Sequence, residues 1–198
     1  MASGERRIFL ARHGETDWNR VGRWQGATDI PLSDIGRAQA RALADRLRGH
    51  DIAQVHASDL VRAHETAQVV AATLGIPSVA VDTRLRERGF GCFEGLTREE
   101  CAIQHPEAWQ RYLADRRSTP PGAEAQDQVV ARVVAALTAI ASSIDEAQVA
   151  LVVSHGGAIR SFMAAVNGQA PPPLANGALF VARFADDRFI AVDDILQD

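Results

Sequence analysis

The chain has 198 residues, with 21 Lys+Arg against 25 Asp+Glu for a formal charge of −4, and 46% of its residues are hydrophobic. That length and balance suit one globular domain able to build its own core, and they argue against a disordered, collagenous or coiled-coil chain. The slight acidity, and the lack of a basic stripe interleaved with aromatics, argue against a nucleic-acid partner.

Along the chain, strand patterns alternate with helical ones. Arg7–Ala11 reads as a short strand ending at Arg12-His13-Gly14. Residues 15–32 form a long irregular stretch with Gly22, Gly26 and Pro31; its Trp18, Asn19 and Gln25 point to a functional loop rather than disorder. Ser33 is the expected N-cap of a helix whose apolar side holds Ile35, Ala38, Ala42, Leu43 and Leu47, with Gly49 as its stop. Ile52–Ala57 reads as a second strand. A helix then presents Leu60, Ala63, Ala67, Val70 and Leu74, closed by Gly75 and Pro77. Val79–Val81 reads as a third strand, Arg84–Gly95 as a glycine-containing loop, and Thr97–His105 and Glu107–Asp115 as helices. After Pro120-Pro121-Gly122 a long helix, Gln126 to Ile144, should bury Val130, Val133, Val134, Leu137, Ala141 and Ile144. Val149–Val153 is a continuous apolar run, as expected of a parallel strand covered on both faces. It ends at Ser154-His155-Gly156-Gly157, where a short helix begins. Ala178–Phe184 and Phe189–Val192 read as a closing pair around Asp186-Asp187.

This order predicts an α/β fold over residues 1–198 as a single domain: a three-layer α/β/α sandwich whose central sheet is mostly parallel, with helices on both faces. No apolar run approaches the ~20 residues that span a bilayer. The segment from Met1 to Arg7 lacks the apolar core and small-residue cleavage site of a secretory leader. Cys92 and Cys101 show neither a disulfide framework nor a zinc pattern and read as two incidental reduced thiols, so a cytoplasmic location is expected. A monomer or a homodimer joined through an edge strand are both open.

In a sheet of this kind ligands bind beyond the carboxyl ends of the strands, near a switch in strand order. Those ends carry His13, His155, Arg12 and Arg62, with the carboxylate of Glu87 on the loop after the third strand. The set suits phosphoryl transfer. Arginine forks match phosphate oxygens, and a neutral imidazole can attack phosphorus and hold the group covalently. Gly14 and Gly156-Gly157 would let backbone N–H groups approach the anion, and helices starting near Asp59 and Gly157 would aim their positive ends at it. Each residue alone has a plainer structural reading; their joint placement carries the argument. A facial triad holding a metal is disfavoured, because the two arginines would repel a divalent cation.

Arg12-His13-Gly14-Glu15-Thr16, then Trp18-Asn19 and Gly22-Arg23-Trp24-Gln25-Gly26-Ala27-Thr28-Asp29, resembles the signature of the histidine phosphatase superfamily in its phosphoglycerate mutase-like branch. The resemblance continues through Ser58-Asp59-Leu60 with Arg62-Ala63 and Thr66-Ala67, through Leu85-Arg86-Glu87 with Phe90-Gly91 and Phe93-Glu94-Gly95, and through Val153-Ser154-His155-Gly156-Gly157. It implies that His13 is the phosphorylated nucleophile, that Arg12, Arg62 and His155 bind the phosphoryl group, and that Glu87 protonates the leaving oxygen and then deprotonates water. It also implies that Asn19, Gln25, Gly26 and Gly156 bind the substrate phosphate, with no metal and no cofactor.

The resemblance leaves two activities. One is a metal-independent phosphomonoesterase acting on a small phosphorylated metabolite; the other is a bisphosphoglycerate-dependent phosphoglycerate mutase. Mutases of the family grip their substrate with a tyrosine and a lysine after the glutamate and with an arginine pair. Here Phe90, Cys92 and Thr97-Arg98 occupy that stretch, Arg116-Arg117 reads as a surface charge pair, and Pro121-Gly122-Ala123-Glu124-Ala125 departs from the family's Gly-Glu-Ser. The phosphatase is therefore the favoured expectation. A catalytically silent phosphate-binding protein is a third reading, disfavoured because it would need no acid opposite the nucleophile.

Overall fold

The computed structural model describes residues 4–194. Its strands, β1 (Arg6–Arg12), β2 (Ile52–Ala57), β3 (Val79–Val81), β4 (Val149–Ser154), β5 (Leu179–Ala185) and β6 (Arg188–Asp194), form one sheet in the order β3-β2-β4-β1-β5-β6. The first four in that order run parallel, and β5 and β6 add an antiparallel hairpin beside β1. Asp186 and Asp187 turn that hairpin with φ of 50° and 57°. A two-residue turn with positive φ at both positions matches the right-handed twist of its strands, and aspartate tolerates that region.

The helices are α1 (Asp17–Arg20), α2 (Asp34–Arg46), α3 (Val61–Leu74), α4 (Arg98–Gln104), α5 (Pro106–Ala114), α6 (Gln126–Ser142) and α7 (Gly156–Asn167). Strand alternation decides which face each covers. Ile8, Leu10, Ala150 and Val152 pack against α6 and α7 through Leu137 and Phe162. Phe9, Ala11, Leu151 and Val153 pack against α2 and α3 through Leu43 and Val70. All six residues of β4 are buried, so the expected three layers are present.

The helix starts follow local chemistry. Ser33 Oγ accepts the Gly36 N–H at 3.1 Å, and Thr97 and Glu100 form a reciprocal capping box at the head of α4. Gly75 closes α3 at φ 73°. Expectations about the buried faces of two helices are corrected: on α2, Ala38 and Ala42 are exposed, and Gly36, Ala40 and Ala44 are buried with Leu43. Ile35 is 51% exposed, because α2 instead turns Gly36 toward the preceding loop, where an added Cβ would collide with the Glu15 carbonyl. On α6 the buried residue is Val129, while Val130 is half-buried and lines the cleft described below. Leu60 is the N-cap of α3 rather than part of it.

The chain leaves β1 toward the α2/α3 face and leaves β4 toward the α6/α7 face, although β1 and β4 are neighbours. A crevice therefore opens over their carboxyl ends. A third cluster, Phe93, Cys101, Ala108, Trp109 and Tyr112 with Trp24 and Phe90 against it, is built by α4, α5 and the loops and forms one wall of that crevice.

Candidate active site

The register pairs Arg12 of β1 with Ser154 of β4, and Val153 of β4 with Ala57 of β2. His13, His155 and Ser58 thus emerge side by side from adjacent strand ends. The His13 N–H donates to the Ser154 carbonyl at 3.0 Å and the Ser58 N–H to the Val153 carbonyl at 3.1 Å. The two imidazoles are 3% and 0% exposed, with ring centroids 5.1 Å apart.

His13 Nδ1 lies 2.6 Å from the Gly14 carbonyl. A carbonyl can only accept, so Nδ1 carries the hydrogen and the ring's lone pair sits on Nε2. The His13 pKa lies well below the ordinary 6.5, because burial and then the Arg12 and Arg62 charges disfavour the cation. His155 is held well below 6.5 by burial first, then by Arg62, His13 and Arg12. Both rings are neutral at physiological pH.

Arg62, 1% exposed, donates to the Thr28 and Gly26 carbonyls at 2.8 Å each, and Arg12 donates to the Leu174 carbonyl. Burial lowers the pKa of both guanidiniums and Glu87 opposes the shift, but an arginine stays charged. Within the protein, Nε of each arginine and both ring nitrogens of His155 are buried without a hydrogen-bond partner. A buried polar group left unsatisfied costs about 1–3 kcal/mol. A compact anion rich in acceptors would take up the two arginine donors and a His155 ring N–H together.

Glu87 meets this cage from the helix side. Its Oε1 accepts the N–H groups of Arg88 at 2.8 Å and Ala158 at 2.9 Å, and its Oε2 accepts the Gly157 N–H at 2.8 Å. The carboxylate thus sits at the positive N-terminus of α7. The flanking arginines point away: Arg86 pairs with Asp59, while Arg88 donates to the carbonyls of Ser118 and Glu124 and to the Gln126 side chain.

Asn19, Gln25, Gly26 and Gly156 all line the same cleft. Asn19 Oδ1 accepts from Thr16 at 3.1 Å and Asn176 at 3.2 Å, which leaves its N–H groups for the cleft. Gln25 Oε1 is buried without a partner. Gly26 has φ 52° and a side chain there would collide with Glu94. Glu94 accepts the Ala27 N–H at 3.2 Å and the Thr28 hydroxyl at 3.0 Å, and so fixes the loop whose carbonyls hold Arg62.

Three expected backbone anion seats are otherwise occupied, the one at the start of α7 by Glu87, which takes the Gly157 and Ala158 N–H groups. The Gly14 N–H donates to Thr66 Oγ1 at 3.1 Å, and the glycine is needed because a Cβ would collide with the Gly36 carbonyl. At the start of α3, Asp29 accepts the Val61 N–H at 2.7 Å. Arg116 and Arg117 line the cleft rather than merely covering surface, and Arg116 stands over the Tyr112 ring at 4.8 Å. Sequence reasoning missed Asn176, which donates to the His13 carbonyl at 3.1 Å, and Arg132, which grips the segment carrying Glu87. Neither has a local sequence signal, since each acts from a distant element. Among the described residues, no group of three or more His, Cys, Asp or Glu is placed to hold a metal ion, and no helix is long and apolar enough to cross a membrane.

The cleft encloses about 1180 Å³ and runs from His13 and Arg62 past Trp24, Phe90 and Tyr112 to Arg98 at its rim. That exceeds the needs of a phosphate alone and leaves room for the alcohol portion of an ester.

Known proteins resemble this chain in sequence and fold. The chain is 41% identical to phosphoglycerate mutase-like protein 4 of Arabidopsis thaliana over 157 residues, covering 78% of this chain and 68% of that protein. It is 35% identical to the metal-independent phosphoserine phosphatase of the same organism over 187 residues, covering 92% and 78%. A mycobacterial glucosyl-3-phosphoglycerate phosphatase, solved in complex with VO3, superposes with a TM-score of 0.80 at 31% identity, covering 91% of this chain and 97% of that one. The model of the histidine phosphatase superfamily, branch 1, matches residues 8–193, a span that takes in both histidines, both arginines and the glutamate between them, and the chain belongs to that superfamily.

Proposed function

We propose that the protein is a metal-independent phosphomonoesterase that works through a phosphohistidine. The observation that supports it is the neutral His13 ring, whose hydrogen is fixed on Nδ1 by Gly14 and whose Nε2 lone pair is left for the cage of Arg12, Arg62 and His155. That lone pair attacks phosphorus while the ester P–O bond breaks. The departing alkoxide takes a proton from Glu87. Water then attacks the phosphohistidine, gives its proton to the Glu87 carboxylate, and the P–N electrons return to Nε2. Three of the roughly four lone-pair sites of this carboxyl meet backbone N–H groups, so the fourth, on Oε2, is the one to carry the proton. Arg12 and Arg62 match the charge on the phosphoryl oxygens, the task a metal performs elsewhere.

The substrate is a small phosphorylated metabolite, and the relatives make phosphoserine and phosphoglycerate esters the first compounds to screen. The test is release of phosphate from p-nitrophenyl phosphate and from that panel. Activity that survives EDTA and disappears in His13→Ala supports the reading; an undiminished His13→Ala variant overturns it. The mutase reading draws on one observation, that Arg116 and Arg117 face the cleft. Interconversion of the two phosphoglycerates, stimulated by bisphosphoglycerate and faster than phosphate release, would favour it. Cys92 and Cys101 are both free thiols, which fits a reducing compartment, and we infer a cytoplasmic enzyme of one domain, working as a monomer or homodimer.

A further inference from the structure

A guanidinium has five N–H bonds, and in Arg132 of α6 all five are used. Nε donates to Glu124 Oε1 at 2.7 Å and Nη2 to Glu124 Oε2 at 2.8 Å, a two-pronged ion pair. Nη1 donates to the carbonyls of Arg84 at 2.7 Å and Arg86 at 2.6 Å, and Nη2 also reaches the Glu87 carbonyl at 3.0 Å. The segment it grips belongs to no strand and no α-helix, being the end of a single 3₁₀ turn (Thr83–Leu85) and the extended residues after it. Its carbonyls have no ladder to satisfy them, and one cation gathers three of them.

Glu124 is the other half of the device. Besides taking Arg132, its backbone N–H donates to the Gly89 carbonyl at 2.9 Å and its own carbonyl accepts Arg88 Nε at 2.9 Å. It is tied directly to the chain after Glu87, and through Arg132 to the chain before it. Neither Arg132 nor Glu124 lines the cleft, so neither meets substrate.

We propose that Arg132, oriented by Glu124, is the positioning residue that fixes the Glu87 carboxyl against the first turn of α7 and over the reacting groups. The proposal rests on the acid and base role given to Glu87. It assigns Glu124 to holding the acid rather than to binding substrate. Lysine would keep the charge but has three donors around one point, which cannot span a carboxylate and three carbonyls.

The test compares kcat/KM for p-nitrophenyl phosphate, whose leaving group needs no proton, with kcat/KM for the alkyl phosphate hydrolysed fastest in the screen, whose leaving group does. Glu87→Gln, Arg132→Lys and Glu124→Gln should each lower the alkyl-to-aryl ratio, by about 10-fold or more, since general acid catalysis is worth 10²–10⁴. Arg132→Lys added to Glu87→Gln should lower that ratio no further. A brace that serves only stability would reduce both substrates by one factor and leave the ratio unchanged. That outcome in Arg132→Lys and Glu124→Gln, with the ratio lowered in Glu87→Gln, overturns the proposal alone. An unchanged ratio in Glu87→Gln overturns the acid role and the proposal with it. Should Arg132→Lys fail to fold, Glu124→Gln, which keeps Arg132 and its three carbonyl bonds, decides the matter.

Discussion

The Gly157 N–H donates to Glu87 Oε2 at 2.8 Å, and the same glycine has no room for a side chain, because a Cβ would collide with Glu87 Oε1. The helix that follows the second histidine therefore also seats the carboxylate opposite the first. Gly157→Ala should leave the fold in place, since alanine suits a helix better than glycine, and should push the carboxyl off its seat. Its kcat/KM on alkyl phosphates should fall about 10- to 100-fold, the scale of a misplaced general acid. Circular dichroism and steady-state kinetics check this; wild-type kinetics in a folded Gly157→Ala variant would count against the seat.

Burial and the two arginines lower the pKa of both site histidines, so their ring resonances should not titrate between about pH 8 and pH 6, where an exposed histidine does. The sign for stability follows. The unfolded chain takes up protons on these rings below about 6.5 while the folded chain does not, so their contribution to stability is complete above that value and declines as the pH falls below it toward their folded values. Ring NMR and denaturant midpoints at several pH values check both statements. The carboxylates Asp59 and Asp82, held low chiefly by Arg86 and Arg84, act in the opposite partnership, and their contribution is lost at more acidic pH.

Leu151 is fully buried in the strand between β2 and β1. Leu151→Ala should cost about 2–5 kcal/mol, the usual range for a cavity left in a packed core. Chemical denaturation measures it. A cost below 1 kcal/mol would mean that the sheet's central strand is not packed on the α2/α3 face as described.

Burial pushes the Cys101 thiol up to about 11. It should resist alkylation in the native protein and react only on unfolding, while activity survives treatment that modifies exposed thiols. Rapid labelling of Cys101 in folded enzyme would contradict the packing of α4 against Trp109.

Much of this was legible in the sequence. The strand run at Val149, the Ser33 cap, the Gly75 stop and the Asp186-Asp187 turn each carry their signal within a few residues, and the structure has all four. The site's polar residues could be gathered because parallel strands deliver their carboxyl ends to one edge. The exposure of Ile35 could not be read, since it depends on Gly36 packing against Glu15, a contact across a loop. The grip of Arg132 was hidden for a similar reason. Its partners lie 45 to 48 residues earlier and 8 residues earlier in the chain, and they are mostly backbone carbonyls, which leave no mark on residue identity.

The central claim is that His13 Nε2 bonds to phosphorus. Wild-type enzyme mixed with substrate, quenched in alkali and mapped by peptide mass spectrometry tests it most directly. One phosphoryl group, stable in base and labile in acid, should appear on the peptide carrying His13 and be missing from His13→Ala. Phosphate found on another residue in turning-over enzyme, or His13→Ala that still becomes labelled and releases product, would contradict it.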